Sequence, residues 1–179
     1  MAEDIRECGS GNGDLKAAHE ALVQECREQS RNALYTSTSF FIWLRWLKFI
    51  RAVLWTAAAV AGAAAASTVL SQNENLELLI AALALLGVIL PGVVKAVKLD
   101  ETIDAYTDAA ANFKNVEGEL RRTAEVWSHN SWDKFEKEAR SALASLDGAR
   151  KLALTPPEWC FKSAQVKVRS GDYDPDPTE

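Results

Sequence analysis

The residues of this chain that could perform chemistry are few and scattered. The two histidines, His19 and His129, have no carboxylate or cysteine at a spacing typical of a catalytic group or a metal site, so both are predicted to be solvated surface residues. The glycines Gly9, Gly11 and Gly13 lack the preceding strand and the following Gly-Lys-Ser/Thr of a phosphate-binding loop. The sequence therefore predicts no enzyme, no cofactor and no metal site.

The cysteines and the charge balance exclude two further classes of protein. Cys8, Cys26 and Cys160 are odd in number and widely spaced, which is typical of reduced cytoplasmic thiols and not of a disulfide framework. The formal net charge is −5, and the chain lacks the clustered basic patch that a nucleic-acid surface needs. Direct binding of nucleic acid is therefore not expected.

Two apolar stretches without an ionisable residue, 52–70 and 78–94, dominate the centre of the sequence. At about 1.5 Å per residue, each comes close to the roughly 30 Å thickness of the hydrocarbon core of a bilayer. A short polar link, 71–75, joins them. The pattern predicts an all-α membrane protein built on a two-helix transmembrane hairpin, with the lipid bilayer as its first partner. The alternative is a soluble helical bundle in which both stretches are buried.

Basic residues flank the two stretches, whereas the link between them carries only acidic charge. The cations are Arg45, Lys48 and Arg51 before the first stretch, and Lys95 and Lys98 after the second. The positive-inside rule then places both termini in the cytoplasm, with the hairpin in the inner (cytoplasmic) membrane. All five cations, with Trp43 and Trp46, are predicted to be anchors at the headgroup level, and those before the first stretch lie with the two tryptophans in an interfacial helix, 40–51.

Small residues follow one face of the first span at a spacing of four, namely Ala58, Gly62 and Ala66. Such a stripe lets two membrane helices approach closely. Two interpretations stay open: the stripe packs against the second span of the same chain, or it packs between subunits of a homo-oligomer and lines a pore. In the second span, Pro91 and Gly92 either introduce a kink or form a tolerated irregularity.

Outside the apolar centre, periodicity predicts further helices that form a bundle or coiled coil. After a flexible segment 1–13, an N-terminal helix is predicted over 14–34. Cytoplasmic helices are predicted over 95–127, 131–153 and 156–170, the last begun by a capping box, and the acidic tail 174–179 is predicted to be disordered.

The first cytoplasmic helix is in phase with the second span and is predicted to continue it as one rod. It carries a coiled-coil seam of Leu99, Ile103, Tyr106, Ala110, Phe113, Leu120 and Trp127, interrupted by one polar residue, Glu117. Whether the bundle forms within one subunit or between subunits is open.

The order of these elements resembles that of the SLATT family, the SMODS and SLOG-associating two-transmembrane effector domains. The resemblance covers 14–173, and its most particular part is the ending Trp159, Lys167, Ser170, Gly171 and Tyr173, which is similar to the family's closing helix and its K-x-x-S-G-x-Y sequence. Hairpin and ending together carry the resemblance.

The resemblance implies a membrane effector of a prokaryotic antiviral defence system. Such effectors are proposed to form pores or to disrupt the inner membrane during abortive infection, under the control of a sensor or a nucleotide-signal enzyme. No sensor domain is apparent here, so a separately encoded partner is expected. The alternative is a non-conducting, membrane-anchored helical adaptor that docks a soluble partner.

Overall fold

The structure, a computed structural model, describes residues 4–70, 77–152 and 154–172. Three predicted features lie outside the described residues, namely the link 71–75, Tyr173 and the tail 174–179. Every regular element within those ranges is a helix, so the predicted all-α class is confirmed.

Five α-helices and one short 3₁₀ helix form the described chain. They are α1 (Asp4–Leu70), α2 (Glu77–Ala96), α3 (Leu99–Glu125), the 3₁₀ helix Trp127–His129, α4 (Trp132–Leu152) and α5 (Glu158–Arg169). The chain divides into two compact units. Unit 1 comprises Met1–Phe40 and Asp108–Glu179, and unit 2 comprises Phe41–Thr107.

Helix α1 is continuous where the sequence predicts a flexible start and three separate helices, 14–34, 40–51 and 52–70. The hydroxyls of its polar segment before Phe40 are satisfied within the helix: Ser37 Oγ donates to the carbonyl of Leu34 (3.0 Å) and Ser39 Oγ to that of Thr36 (2.7 Å). The glycines near its start each cost about 1 kcal/mol relative to alanine, but they leave the backbone hydrogen bonds intact.

Unit 1 is a helical bundle formed within a single chain. Its core contains the fully buried Leu120, Phe135 and Leu146, and the rings of Phe40 and Phe113 stack with centroids 5.7 Å apart. Polar bonds join the same helices: Ser30 Oγ of α1 donates to the backbone carbonyl of Glu117 in α3 (3.2 Å), and Arg150 of α4 donates to Gln29 of α1 (2.7 Å). Helix α5 adds the buried face Cys160, Ala164 and Val168.

Unit 2 contains a break that contradicts the predicted continuous rod. Helix α2 ends at Ala96 and α3 begins at Leu99, with Lys98 between them at a φ of 51°. Charges at the break suit two helix ends, because Lys95 lies in the last turn of α2 and Asp100 and Glu101 lie in the first turn of α3. These end charges favour a break that apolar periodicity alone does not reveal.

The last two helices also begin later than predicted. Helix α4 begins at Trp132, directly after Ser131, whose carbonyl accepts the amides of Lys134 and Phe135. Helix α5 begins at Glu158 and not at 156, with Pro157 as its N-cap and no side-chain cap. The predicted capping box is therefore wrong. A residue before proline is disfavoured in the helical conformation, which agrees with a helix that begins after Pro156 and Pro157.

Candidate functional site

The described helices of unit 2 present apolar side chains outward. The large exposed ones include Val53, Trp55 and Val60 in α1, and Leu85, Leu86, Val88, Ile89 and Val93 in α2. A helix buried in a water-soluble core would hide such residues, and an exposed apolar surface of this extent marks contact with a partner or a membrane. The outward face of unit 2 is therefore the candidate functional site.

By length and composition, one helix in the described ranges can cross a membrane. It lies within Gly13–Ala64, and only 17% of its most apolar stretch of 18 residues is buried. Most of that stretch is therefore exposed in the single chain. In α2 the described apolar stretch, Ala84–Ala96, is too short to count as a second span, so the predicted hairpin of two transmembrane helices is not confirmed.

The two apolar helices meet at a glycine that the sequence analysis did not single out. A Cβ at Gly87 of α2 would lie 3.6 Å from the backbone nitrogen of Gly62 and 3.7 Å from the carbonyl oxygen of Ala58. Glycine thus brings the backbone of α2 against the small residues of α1. A single glycine within the Leu- and Ile-rich run of α2 was the signal that could have identified this contact.

The predicted stripe is divided between two surroundings. Ala58 is buried, as is its neighbour Ala61, whereas Gly62 and Ala66 are exposed. A Cβ at Gly62 would meet no atom within 4 Å, although its backbone touches the region of Gly87. One part of the stripe therefore packs inside unit 2, and the other part faces outward.

The basic end of the helix pair contains both paired and free cations. Arg51 donates through Nη1 to Asp100 Oδ1 at 2.9 Å, and Lys98 Nζ lies 2.9 Å from Glu101 Oε2. The other three predicted anchors, Arg45, Lys48 and Lys95, are exposed and make no ion pair within the described parts of the chain.

Aromatic rings lie at the same end of α1. Trp46 and Phe49 are exposed, with their ring centroids 6.0 Å apart in an edge-on arrangement. Trp43 is half-buried and lies edge-on to Tyr106 at 6.4 Å. The aromatic anchors therefore differ: one packs inside unit 2 and the other faces outward. At the same end of the pair, α2 continues through Pro91 and Gly92 to Ala96 as a single helix.

The predicted seam is distributed over both units. In unit 2, Leu99 and Ile103 are buried and Tyr106 is half-buried; in unit 1, Ala110, Phe113 and Leu120 are buried, and Trp127 is half-buried in the 3₁₀ helix. Glu117 is buried as well. Its carboxylate lies 2.7 Å from Lys114 Nζ and 3.7 Å from Arg121 Nη1, so two cations on its own helix satisfy it.

The residues at the end of α5 on which the SLATT resemblance partly rests, from Lys167 to Gly171, form a helix C-cap. The amide of Gly171 donates to the carbonyl of Val168, and the amide of Asp172 donates to that of Lys167, each at 3.1 Å. Gly171 has a φ of 81°, and Ser170 occupies the C-cap position. This is a Schellman motif, which favours glycine at the left-handed position. Trp159, at the other end of α5, is exposed.

Unit 1 contains one histidine whose surroundings were predicted wrongly and two cysteines that were given no role. His19 is not a solvated surface residue: its Nε2 donates to the carbonyl of Ser128 at 2.9 Å, and its ring centroid lies 4.8 Å from that of Phe135. Cys26 and Cys160 are free, buried thiols, and burial raises the pKa of each; the carboxylate of Glu25 raises that of Cys26 further.

A shallow groove of about 420 Å³ lies between α1 and α4 of unit 1. Apolar side chains and charged ones line it, namely Ala18, Ala21, Leu22, Trp132 and Leu143 with Glu25, Glu136 and Arg140. Arg140 is already paired with Glu136 at 2.6 Å. Within the described residues, no group of three or more His, Cys, Asp or Glu side chains is arranged to hold a metal ion.

The chain matches no protein-family model, no curated protein and no solved structure.

Proposed function

We propose that this protein is a membrane effector of a prokaryotic anti-phage system, which oligomerises and forms pores or disrupts the inner membrane. The observation that carries the proposal is the outward apolar surface of α1 and α2 in unit 2. Val60 and Val88 are among the most exposed large apolar side chains of the described chain, and a bilayer is the surrounding that accommodates such residues without cost.

In this proposal α1 and α2 cross the bilayer as a hairpin, with the close contact at Gly87 between them. The basic end of the pair faces the cytoplasm, because Lys and Arg near the ends of membrane spans favour that side. Both termini, and with them unit 1, are then cytoplasmic. A pair of helices suits such a membrane anchor, because the backbone groups inside a helix bond to one another and need no water.

The resemblance to the SLATT family supports the effector role. It rests on the order of the helices and on the ending around Lys167, Ser170 and Gly171, which forms the C-cap of α5. The same resemblance supports control by a separately encoded sensor or nucleotide-signal enzyme that acts on the cytoplasmic unit.

Assembly between subunits is supported by the exposed part of the small-residue stripe. Gly62 and Ala66 face outward, and the space around a Cβ at Gly62 is open. A second copy can approach α1 closely along these residues, as small residues allow in membranes.

Inducible expression in bacteria with a membrane-potential dye tests the proposal. The chain is expressed alone and together with its neighbouring genes, and its presence in the membrane fraction is verified. Gly62→Leu is the informative variant, because a Cβ at this position meets no atom within 4 Å and the larger side chain would occupy the surface that a second copy needs. We expect depolarisation with the parent chain and its loss with Gly62→Leu.

Val60→Leu provides the matched control, since it enlarges an exposed position on another face of the same helix. It should depolarise cells as the parent does. A protein that reaches the membrane but never depolarises cells in either genetic setting would refute the effector proposal.

The groove between α1 and α4 favours a second candidate, the non-conducting adaptor. Both apolar and charged side chains line the groove, a combination that suits an amphipathic helix of a soluble partner. An adaptor would recruit that partner to the membrane without ion leakage, and Gly62→Leu would leave the recruitment unchanged.

A further inference from the structure

The cytoplasmic end of the helix pair combines free positive charge with exposed rings. Arg45, Lys48 and Lys95 are exposed and without ion pairs in the described parts of the chain, whereas Arg51 and Lys98 already bind carboxylates at 2.9 Å. The unit thus satisfies two of its five flanking cations internally and leaves three available.

The three free cations lie at one end of the pair. Lys95 follows Gly87 by eight residues, about 12 Å along α2, and Lys48 precedes Ala58 by ten residues, about 15 Å along α1. Gly87 packs against Ala58, so both cations extend in the same direction from that contact. Arg45 lies one helical turn beyond Lys48.

The exposed apolar side chains beside these cations indicate what surrounds this end of the helix pair. Trp46 and Phe49 are exposed beside Arg45 and Lys48, and Val93 and Val97 are exposed beside Lys95. A wholly aqueous partner would leave these apolar groups in water, whereas the boundary between lipid tails and headgroups accommodates an aromatic or aliphatic body next to a cation.

We propose that Arg45, Lys48 and Lys95 form a binding surface for anionic phospholipid headgroups. This inference rests on the proposed membrane location and adds the lipid class. A phosphodiester supplies the negative charge that the surface lacks, because the carboxylates nearest in sequence, Asp100 and Glu101, are occupied by Arg51 and Lys98. Zwitterionic lipid offers no net charge and should bind more weakly.

Quenching of tryptophan fluorescence by brominated lipids measures this preference. The full chain is reconstituted into vesicles of phosphatidylcholine mixed with phosphatidylglycerol, and either lipid is supplied in brominated form. The ratio of the two binding constants is then obtained. Because each Lys or Arg near an anionic surface strengthens binding by about fivefold, we expect a clear preference for phosphatidylglycerol.

The triple variant Arg45→Gln/Lys48→Gln/Lys95→Gln should bring the ratio close to one. The control is Lys134→Gln/Lys137→Gln/Lys151→Gln, which removes the same charge from exposed positions of unit 1 and should keep the preference. Lys98→Gln, which removes a cation already paired with Glu101, should have a smaller effect than any one of the three free cations.

The outcomes separate this inference from the proposed function. An unchanged ratio in the first triple variant, or an equal loss in both triple variants, overturns the headgroup site while quenching by both lipids still supports a membrane location. If the surface instead binds an acidic protein segment, the ratio of the two lipid binding constants should be the same in the parent chain and in the first triple variant. Absence of quenching by either lipid overturns the membrane proposal and this inference with it.

Discussion

Units 1 and 2 are both helical, but they differ in where many of their large apolar residues lie. In unit 1, Leu120, Phe135 and Leu146 are fully enclosed by neighbouring helices, and charged side chains cover the outside. In unit 2, Val60, Leu85 and Val88 are exposed, and α1 and α2 meet at small residues such as Ala58 and Gly87. Among the described residues of unit 2, most of the large buried ones, such as Leu47 and Ile103, lie outside the stretches 52–70 and 78–94.

The contrast agrees with two different surroundings for the two units. In water, burial of apolar side chains drives helices together. In lipid that driving force is absent, and helices associate through close contact of small residues instead. A variant that replaces one residue type at matched exposure in the two units therefore tests whether the surroundings differ.

The largest effect is expected for Phe135→Ala in the core of unit 1. Removal of a fully buried ring should lower the free energy of unfolding by about 3–5 kcal/mol, whereas Val166→Ala at an exposed position of α5 should change it little. The readout is the labelling of Cys26 and Cys160 by a thiol reagent during denaturation, in a chain whose Cys8 is replaced by serine. All three cysteines belong to unit 1, so labelling reports on that unit.

The native chain should label slowly, because both thiols are buried and their raised pKa keeps them protonated. Labelling should accelerate only at pH values above the ordinary range for thiols, or upon unfolding. Fast labelling of the native parent chain would contradict the enclosed core of unit 1.

The next effect separates the surroundings of two valines that are equally exposed, at 68% each: Val60 in unit 2 and Val166 in unit 1. An arginine in the centre of a membrane helix costs about 2.5–3.5 kcal/mol on the insertion scale, whereas an arginine on an aqueous surface costs almost nothing. Val60→Arg should therefore reduce the share of protein that resists alkaline extraction from membranes, and Val166→Arg should not. Equal behaviour of the two variants would remove the contrast between the units.

A smaller effect is expected at the C-cap of α5. Gly171 adopts a left-handed conformation, so Gly171→Ala should destabilise unit 1 by about 1–2 kcal/mol. Gly148 lies inside α4 with open space around its Cβ position, and Gly148→Ala should stabilise the same unit by about 0.5–1 kcal/mol. Thermal unfolding followed by thiol labelling gives both shifts, and a shift in the same direction for both variants would be inconsistent with the cap.

The smallest effect is expected for Asp100→Asn in unit 2. Its ion pair with Arg51 is exposed at both partners, so its loss should change stability by no more than about 1 kcal/mol. Thermal melts at low and high salt provide the measurement, and the difference between variant and parent should shrink as salt screens the pair. A large, salt-independent loss would indicate that Asp100 has another role.

The sequence was sufficient for features that depend on the hydrophobic pattern. The all-α class follows from the long periodic segments, and the buried Ile103, Phe113 and Leu120 lie at positions that the seam predicts. Glu117, the polar interruption, is buried beside Lys114 and Arg121 of its own helix. The hydrophobic pattern marks this residue as an interruption, because the pattern contains no information on ion pairs between side chains.

Other features depend on local hydrogen bonds and on three-dimensional contact. Helix α1 continues through Ser37 and Ser39, whose buried hydroxyls are satisfied by the preceding turn. The close contact at Gly87 and the bond between His19 and Ser128 join residues that are distant in sequence. Neither periodicity nor spacing contains that information.

The break between α2 and α3 sets a backbone cost at Lys98 against the charges around it. A left-handed conformation costs a residue other than glycine about 1–2 kcal/mol, which is similar in size to the exposed ion pairs that Arg51 and Lys98 make around the break. The ion pairs around the break therefore offset a backbone cost of comparable size.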